Sequence, residues 1–159
     1  MRLSAQEAFA SYGDRIFAAA YSVLRSREDA DDVVQDTFVK YCATDKEFTD
    51  CEHLKAWLLR LAINRAKDLL RQFWRRNTVS WDDYEGSLEF QEPEDRTVFQ
   101  AVMALPVKYR TAIHLYYYEE YSIAQIAQLL HCSQSAIKSQ LSRGRKILKT
   151  KLTEEWDDE

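Results

Sequence analysis

A chain of 159 residues is too short for a large multidomain enzyme and suits one domain or two very small helical ones. Three glycines and two prolines, where a usual chain holds ~12% of the two together, exclude turn-dense β-sandwiches and collagen-like or disordered compositions and predict an all-α protein. The formal net charge of −4 argues against a polyanionic partner only until it is divided along the chain.

Hydrophobic residues at 46% and charged residues at 30% suit a soluble globular protein. No apolar run approaches the ~20 residues of a membrane span, and Asp14 and Arg15 break the stretch from Phe9 to Leu24. No cationic start leads into an apolar core and a small-residue cleavage site, so a cytoplasmic location without direct membrane insertion is expected. Cys42, Cys51 and Cys132 are odd in number and form no CxxC pair. Cys51 with His53, lacking a second ligand pair, cannot close a four-ligand zinc sphere, so neither a metal nor a cofactor is expected.

Residues 28–52 hold nine acids against two bases, and residues 55–76 hold seven bases against one acid. Residues 78–95 hold seven acids and no base, residues 96–153 nine bases and two acids, and the tail 154–159 five acids. Each run alone is what a solvated helix face produces. Their alternation predicts two binding modules with different partners, 1–77 and 96–153, joined by an acidic linker over 78–95.

The first predicted helix runs from Ala8 to Leu24, with Phe9, Ile16, Phe17, Ala20 and Leu24 toward a core. After a turn at Ser26, a second helix from Asp29 to Tyr41 places Val34, Phe38, Tyr41 and Cys42 on an inner face, with Asp31, Asp32, Gln35 and Asp36 largely elsewhere. Residues 43–53 read as a polar loop. A third helix begins near Leu54, where Leu54, Trp57, Leu58 and Leu61 match the i, i+3, i+4, i+7 pattern, and continues to about Arg76 with a basic outer face. Trp57 falls on the apolar stripe and reads as core.

Helical periodicity fails from about Thr78 to Glu92, yet Trp81, Tyr84, Leu88 and Phe90 give the acidic linker apolar groups that an inert spacer does not need. Val98, Ala101, Val102 and Leu105 then mark a short helix that Pro106 ends, and Pro106 suits the first turn of a helix reaching about Tyr118. The Tyr116-Tyr117-Tyr118 run reads as half core and half surface. Ser122 and Gln125 form a capping box for a helix striped by Ile123, Ile126, Ala127 and Leu130. Ser133 caps the last helix, whose inner stripe is Ile137, Leu141, Gly144 and Leu148.

Only His131-Cys132-Ser133 separates these two helices, which is helix-turn-helix spacing. Ala127 permits the close approach, and His131 stands where the turn demands positive φ, a conformation histidine tolerates at some cost. Five bases and no acid lie between Lys138 and Lys149, as entry into a negative major groove requires. Ser133, Gln134, Ser135, Lys138, Ser139 and Ser142 are the candidates near DNA, with Gln134, Ser135 and Lys138 early enough in the helix to reach base edges. Arg143, Arg145 and Lys146 are placed to hold phosphates.

Three separated motifs, in order, resemble the bacterial RNA polymerase sigma factors of the extracytoplasmic-function (ECF) type. Residues 29–38, Asp-Ala-Asp-Asp-Val-Val-Gln-Asp-Thr-Phe, resemble that family's core-polymerase-binding helix. Trp57-Leu58, Asn64-Arg65 and Asp68-Leu69-Leu70-Arg71 resemble the helix that opens and reads the promoter −10 element. Leu105-Pro106 through Arg110, Ile126-Ala127 and residues 137–143 resemble the domain that reads the −35 element. Departures fall at Gln125, His131, Gln140 and Gly144, where an acid, glycine, arginine and alanine are usual.

The resemblance implies a non-enzymatic initiation factor with two small helical domains, whose partners are core RNA polymerase, through its beta-prime clamp helices, promoter DNA, and commonly an anti-sigma factor. It carries core-polymerase binding onto Asp31, Asp32, Gln35, Asp36 and Phe38, and −10 binding onto Arg60, Asn64, Lys67, Asp68, Arg71, Arg75 and Arg76. Phe73 and Trp74, flanked by arginines, are the candidates for stacking on unpaired bases. Asn64 and Asp68, one turn apart, are also placed to bond each other. The loop over 43–53 would help hold a flipped-out −10 base, and the acidic linker would thread channels that later carry RNA. A stand-alone helix-turn-helix regulator is the competing reading; it would bind duplex DNA without polymerase, usually as a dimer. An enzyme acting on nucleic acid lacks support, because no paired catalytic carboxylates, Ser/His/Asp arrangement or Gly-rich phosphate loop is present.

Overall fold

The computed structural model describes residues 1–77 and 98–157, and every regular element among them is a helix. The acidic stretch 78–95, with the docking expected of its aromatics, lies outside the described residues, as do the side chains of the tail 154–159. The chain divides into two compact units, Met1–Thr78 and Val79–Glu159.

The first unit is a three-helix bundle of α1 (Ala5–Leu24), α2 (Arg27–Ala43) and α3 (Cys51–Asn77), in which each helix packs on the other two. α1 starts three residues earlier than its apolar stripe suggests, because Ser4 and Glu7 close a reciprocal capping box at 3.1 and 3.2 Å. Arg25 leaves α1 in the left-handed region (φ 55°), and Ser26 Oγ accepts from Asp29 N at 3.2 Å to start α2, so two residues reverse the chain.

Ile16, Ala19, Ala20, Val33, Tyr41, Leu54, Leu58, Leu59 and Ile63 are fully buried. Three expectations change here. Phe9 keeps the face of buried Ile16, seven residues on, with its ring over Gly13 and edge-on to Phe38 at 5.3 Å, but near the start of α1 it remains 56% exposed rather than core. Cys42 is exposed, whereas Val33, outside the expected stripe, is fully buried. Trp74 continues the Leu59, Ile63, Ala66, Leu70 row at helical spacing and is 3% exposed, so it belongs to the core.

The second unit holds α4 (Val98–Met103), α5 (Val107–Ile113), α6 (Ile123–Leu130) and α7 (Gln134–Asp157), with α7 packed on the other three. Val98 is 60% exposed rather than inward, and Met103 and Leu105 carry the buried end of α4. The fully buried Arg110 donates from one Nη to the carbonyls of Met103 (3.3 Å), the last residue of α4, and Leu105 (2.8 Å), in the turn that follows, placing a cation at the C-terminal end of that helix. The helix expected to reach Tyr118 is α-helical only to Ile113. His114–Tyr118 widens into a π-helical turn, with Glu119 N bonded to His114 O at 3.3 Å. Leu115 is buried while Tyr117 and Tyr118 are more than half exposed.

Candidate nucleic-acid interface

The reading motif is built by caps. Ser122 and Gln125 exchange bonds of 3.1 and 2.8 Å at the start of α6, and His131 ends it in the left-handed region (φ 57°, ψ 49°). Cys132 N returns to Ala127 O at 3.0 Å, and Ser133 Oγ accepts from Ala136 N at 3.0 Å to start α7. Ala127 and Ile137 are both buried at the crossing. Gly144 lies where α5 passes closest: a Cβ added there would come 2.5 Å from Ile113 Cδ1. The glycine that interrupts a basic helix is therefore a packing residue.

With Ile137, Leu141 and Gly144 turned inward, Gln134, Ser135, Lys138, Ser139, Ser142, Arg143 and Lys146 are all exposed. Helical register puts Ser135, Ser139, Ser142 and Lys146 opposite the buried stripe, with Lys138 and Arg143 flanking them. Two of the expected DNA residues have other partners. Ser133 Oγ is occupied as the cap acceptor, which leaves its hydroxyl proton to donate. Arg145 Nε donates to Tyr117 Oη at 2.6 Å, and its guanidinium lies 5.4 and 5.5 Å from the Tyr116 and Tyr117 ring centres. A guanidinium held this way faces the tyrosines rather than a phosphate.

On α3, Arg60, Asn64, Lys67, Arg71 and Arg75 repeat at spacings of four, three, four and four, the core row displaced by one residue. Arg60, Arg71 and Arg75 are exposed, and Asn64 and Lys67 are half-buried. Asp68 pairs with Arg71 at 3.4 Å instead of with Asn64. The stacking role assigned to Trp74 fails, since a buried indole has no face for a base; Phe73 is half-buried, and Phe73 and Arg76 point away from the basic row. The aromatic that heads that row is Trp57. Half-buried, it meets Phe48 and Tyr41 edge-on at 5.5 and 6.2 Å, and its spacing of three from Arg60 could have revealed it.

The α2 face divides similarly. Asp31, Asp32 and Gln35 are exposed, but Asp36 is tied to Arg65 of α3 at 3.1 Å and Phe38 is 8% exposed against Phe9, so Phe38 offers a partner little surface. Val39, 66% exposed among the carboxylates, is an apolar contact that the sequence pattern did not single out. Between α2 and α3 the loop Thr44–Asp50 ends in a cap, with Asp50 Oδ1 accepting from His53 N at 2.8 Å. His53 Nδ1 accepts from Thr49 N at 3.1 Å, a structural use for the histidine beside Cys51. Among the described residues no His, Cys, Asp or Glu cluster could hold a metal ion, and no helix is long and apolar enough to cross a membrane.

Comparison with known proteins places both units. The family model for Sigma-70 region 2 matches residues 8–76, and that for Sigma-70, region 4 matches residues 95–148. The ECF RNA polymerase sigma factor SigW of Bacillus subtilis (strain 168) is 28% identical, over 92% of this chain and 90% of that protein. SigM of the same organism, also named an ECF RNA polymerase sigma factor, is 27% identical over 99% of this chain and all of that one. Among solved structures, the sigma factor RpoE in complex with the anti-sigma factor NepR from Bartonella quintana matches with a TM-score of 0.73 and 25% identity, over 93% of this chain and 96% of that one. CnrH in complex with the cytosolic domain of CnrY matches with a TM-score of 0.61 and 25% identity, over 94% and 87%.

Proposed function

From the premise that this chain belongs to the Sigma-70 family, among the ECF RNA polymerase sigma factors that serve promoter-directed transcription initiation, we propose a division of labour between its two units. Residues 1–77 bind core polymerase and the −10 element, and residues 96–153 bind the −35 element as duplex. The chain is a non-catalytic subunit, and residues 78–95 are a connecting acidic linker.

The observation that carries this reading is the pair of exposed, basic helix faces on α3 and α7, one in each unit. On α7, Gln134, Ser135 and Lys138 lie early enough to reach base edges, while Arg143 and Lys146 hold phosphates. On α3, Arg60, Asn64, Lys67, Arg71 and Arg75 track a backbone, and Trp57 takes the stacking role at the end beside the loop Thr44–Asp50, which cradles an unpaired base. On α2, Asp31, Asp32 and Gln35 around Val39 offer an anionic rim and an apolar centre to the beta-prime clamp helices. The complexes of RpoE with NepR and of CnrH with CnrY support an anti-sigma partner for this chain too.

The test is transcription of fragmented host DNA by core RNA polymerase with and without the protein, with RNA 5′ ends mapped. New start sites that share two upstream elements are expected, and start sites unchanged beside tight duplex binding by the protein alone would favour a stand-alone regulator.

A further inference from the structure

The loop Thr44–Asp50 has little hydrogen bonding of its own. Thr44 N reaches Tyr41 O at 3.4 Å, Lys46 N meets Thr44 Oγ1 at 3.3 Å, and Thr49 N bonds His53 Nδ1. A segment with so few internal bonds holds one conformation only when something outside it offsets the chain entropy. Here two things do. Phe48 is 2% exposed and sits among Tyr41, His53 and Trp57, with ring centres 6.2, 5.2 and 5.5 Å away. Residues 1–3 lie across the loop and bond to it at several points.

Met1 and Phe48 exchange backbone bonds: Met1 N donates to Phe48 O at 2.8 Å, and Phe48 N donates to Met1 O at 2.9 Å. Met1 N also meets Glu47 Oε2 at 3.0 Å. Arg2 does more. One Nη donates to Lys46 O at 3.1 Å, the other to Tyr41 O at 2.8 Å, and the guanidinium lies 4.4 Å from the Tyr41 ring centre. Tyr41 Oη in turn donates to Leu3 O. Tyr41 O is among the last carbonyls of α2, so Arg2 satisfies a helix end and a loop carbonyl with one rigid fork. Ser4 follows at once as the cap of α1, which fixes the strap to the bundle.

We infer that Arg2 is a positioning residue for promoter reading: by bridging Tyr41 O and Lys46 O it sets the conformation of the loop Thr44–Asp50, and through the loop the base preference at the displaced position of the −10 element. The inference rests on the proposal that this loop cradles an unpaired base. It assigns specificity to a residue some forty positions away in sequence that touches no nucleotide. Lysine cannot replace it, because an ammonium group does not span two carbonyls and stack on a ring together.

The experiment compares wild type with Arg2→Ala and Arg2→Lys, as free proteins for amide exchange and assembled with core polymerase for DNA binding. Its readouts are amide exchange over residues 44–49 in the free protein and the binding of single-stranded −10 oligonucleotides carrying each of the four bases in turn. Both variants are expected to speed exchange across the loop by about tenfold and to flatten the ratio between the preferred base and the others by a similar factor. Affinity for core polymerase and preference at the −35 duplex stay as in wild type. A general loss of stability would weaken all four oligonucleotides together and leave the ratio untouched, and that result overturns the inference, as does wild-type exchange in both variants. If wild type itself shows no base preference, the −10 reading fails instead; exchange then decides the strap alone, with acceleration supporting the clamp and no change overturning it.

Discussion

Gly144 shows two residue-scale effects in opposition. Glycine inside an exposed helix costs roughly 1 kcal/mol against alanine, so propensity alone favours Gly144→Ala. The space does not allow it, since the new methyl group would sit 2.5 Å from Ile113 Cδ1 and 3.4 Å from Tyr109 Cβ. Ile113 is itself 4% exposed, and overpacking at a buried contact typically costs about 1–3 kcal/mol. Gly144→Ala alone is therefore expected to lower stability by about 1 kcal/mol in urea melts. In an Ile113→Val background, which lacks the offending carbon, the same substitution should raise stability by about 1 kcal/mol over Ile113→Val alone, the propensity gain no longer being cancelled. Equal effects in both backgrounds would mean that the α5–α7 contact does not set the residue. Trp74 and Trp57 make the same point about side chains: each has arginines or lysines near it in sequence, and only the helical row it belongs to decides whether it is core or surface.

The π-helical turn His114–Tyr118 is the element with the clearest consequence for solution behaviour. It carries His114 inward, with Nε2 sealed from water and unpaired and the ring stacked on Tyr118 at 4.8 Å, and burial pushes the imidazole down to about 4. The folded state thus prefers the neutral ring, while the unfolded chain takes up a proton near the ordinary 6.5. The stability contributed by this difference is fully present above about pH 6.5 and is lost as pH falls toward 4, by at most about 3 kcal/mol. Thermal melts between pH 7 and 4 should show a shallower decline for His114→Leu than for wild type, and parallel curves would rule the histidine out as the cause. This turn also marks where the sequence stops being readable. Apolar periodicity located the helices, and Ser122, His131 and Ser133 located the tight turn, because caps and stripes are local signals. A π-turn inserts one residue and rotates everything after it by about 100°, which no stripe in a short run of tyrosines records. The intramolecular partners of Arg145 and Asp36 escape the sequence for a related reason: Tyr117 and Arg65 lie 28 and 29 residues away, so no local pattern could name them.

At the scale of the molecule, a chain of net charge −4 is proposed to bind the most anionic polymer in the cell, and it does so by segregating charge. The two basic faces belong to separate compact units, so their phosphate contacts should contribute independently to the salt dependence of promoter binding. Each neutralised phosphate contributes about 0.9 on duplex DNA, and about 0.7 on a single strand, to the slope of log K against log salt. Replacing Arg143 and Lys146 by alanine on α7 removes two exposed cations, and replacing Arg60 and Arg75 on α3 removes two more. The α7 pair, on duplex, should flatten the slope for holoenzyme on a complete promoter by about 1.8, the α3 pair, on the melted strand, by about 1.4, and the fourfold variant by about 3. Loss of the α7 pair should leave binding to an isolated single-stranded −10 oligonucleotide unchanged, whereas loss of the α3 pair should weaken it. Fluorescence anisotropy over a salt series measures all of these. A fourfold variant no flatter than either pair would mean that the two faces compete for the same phosphates, and the division of labour between the units would have to be abandoned.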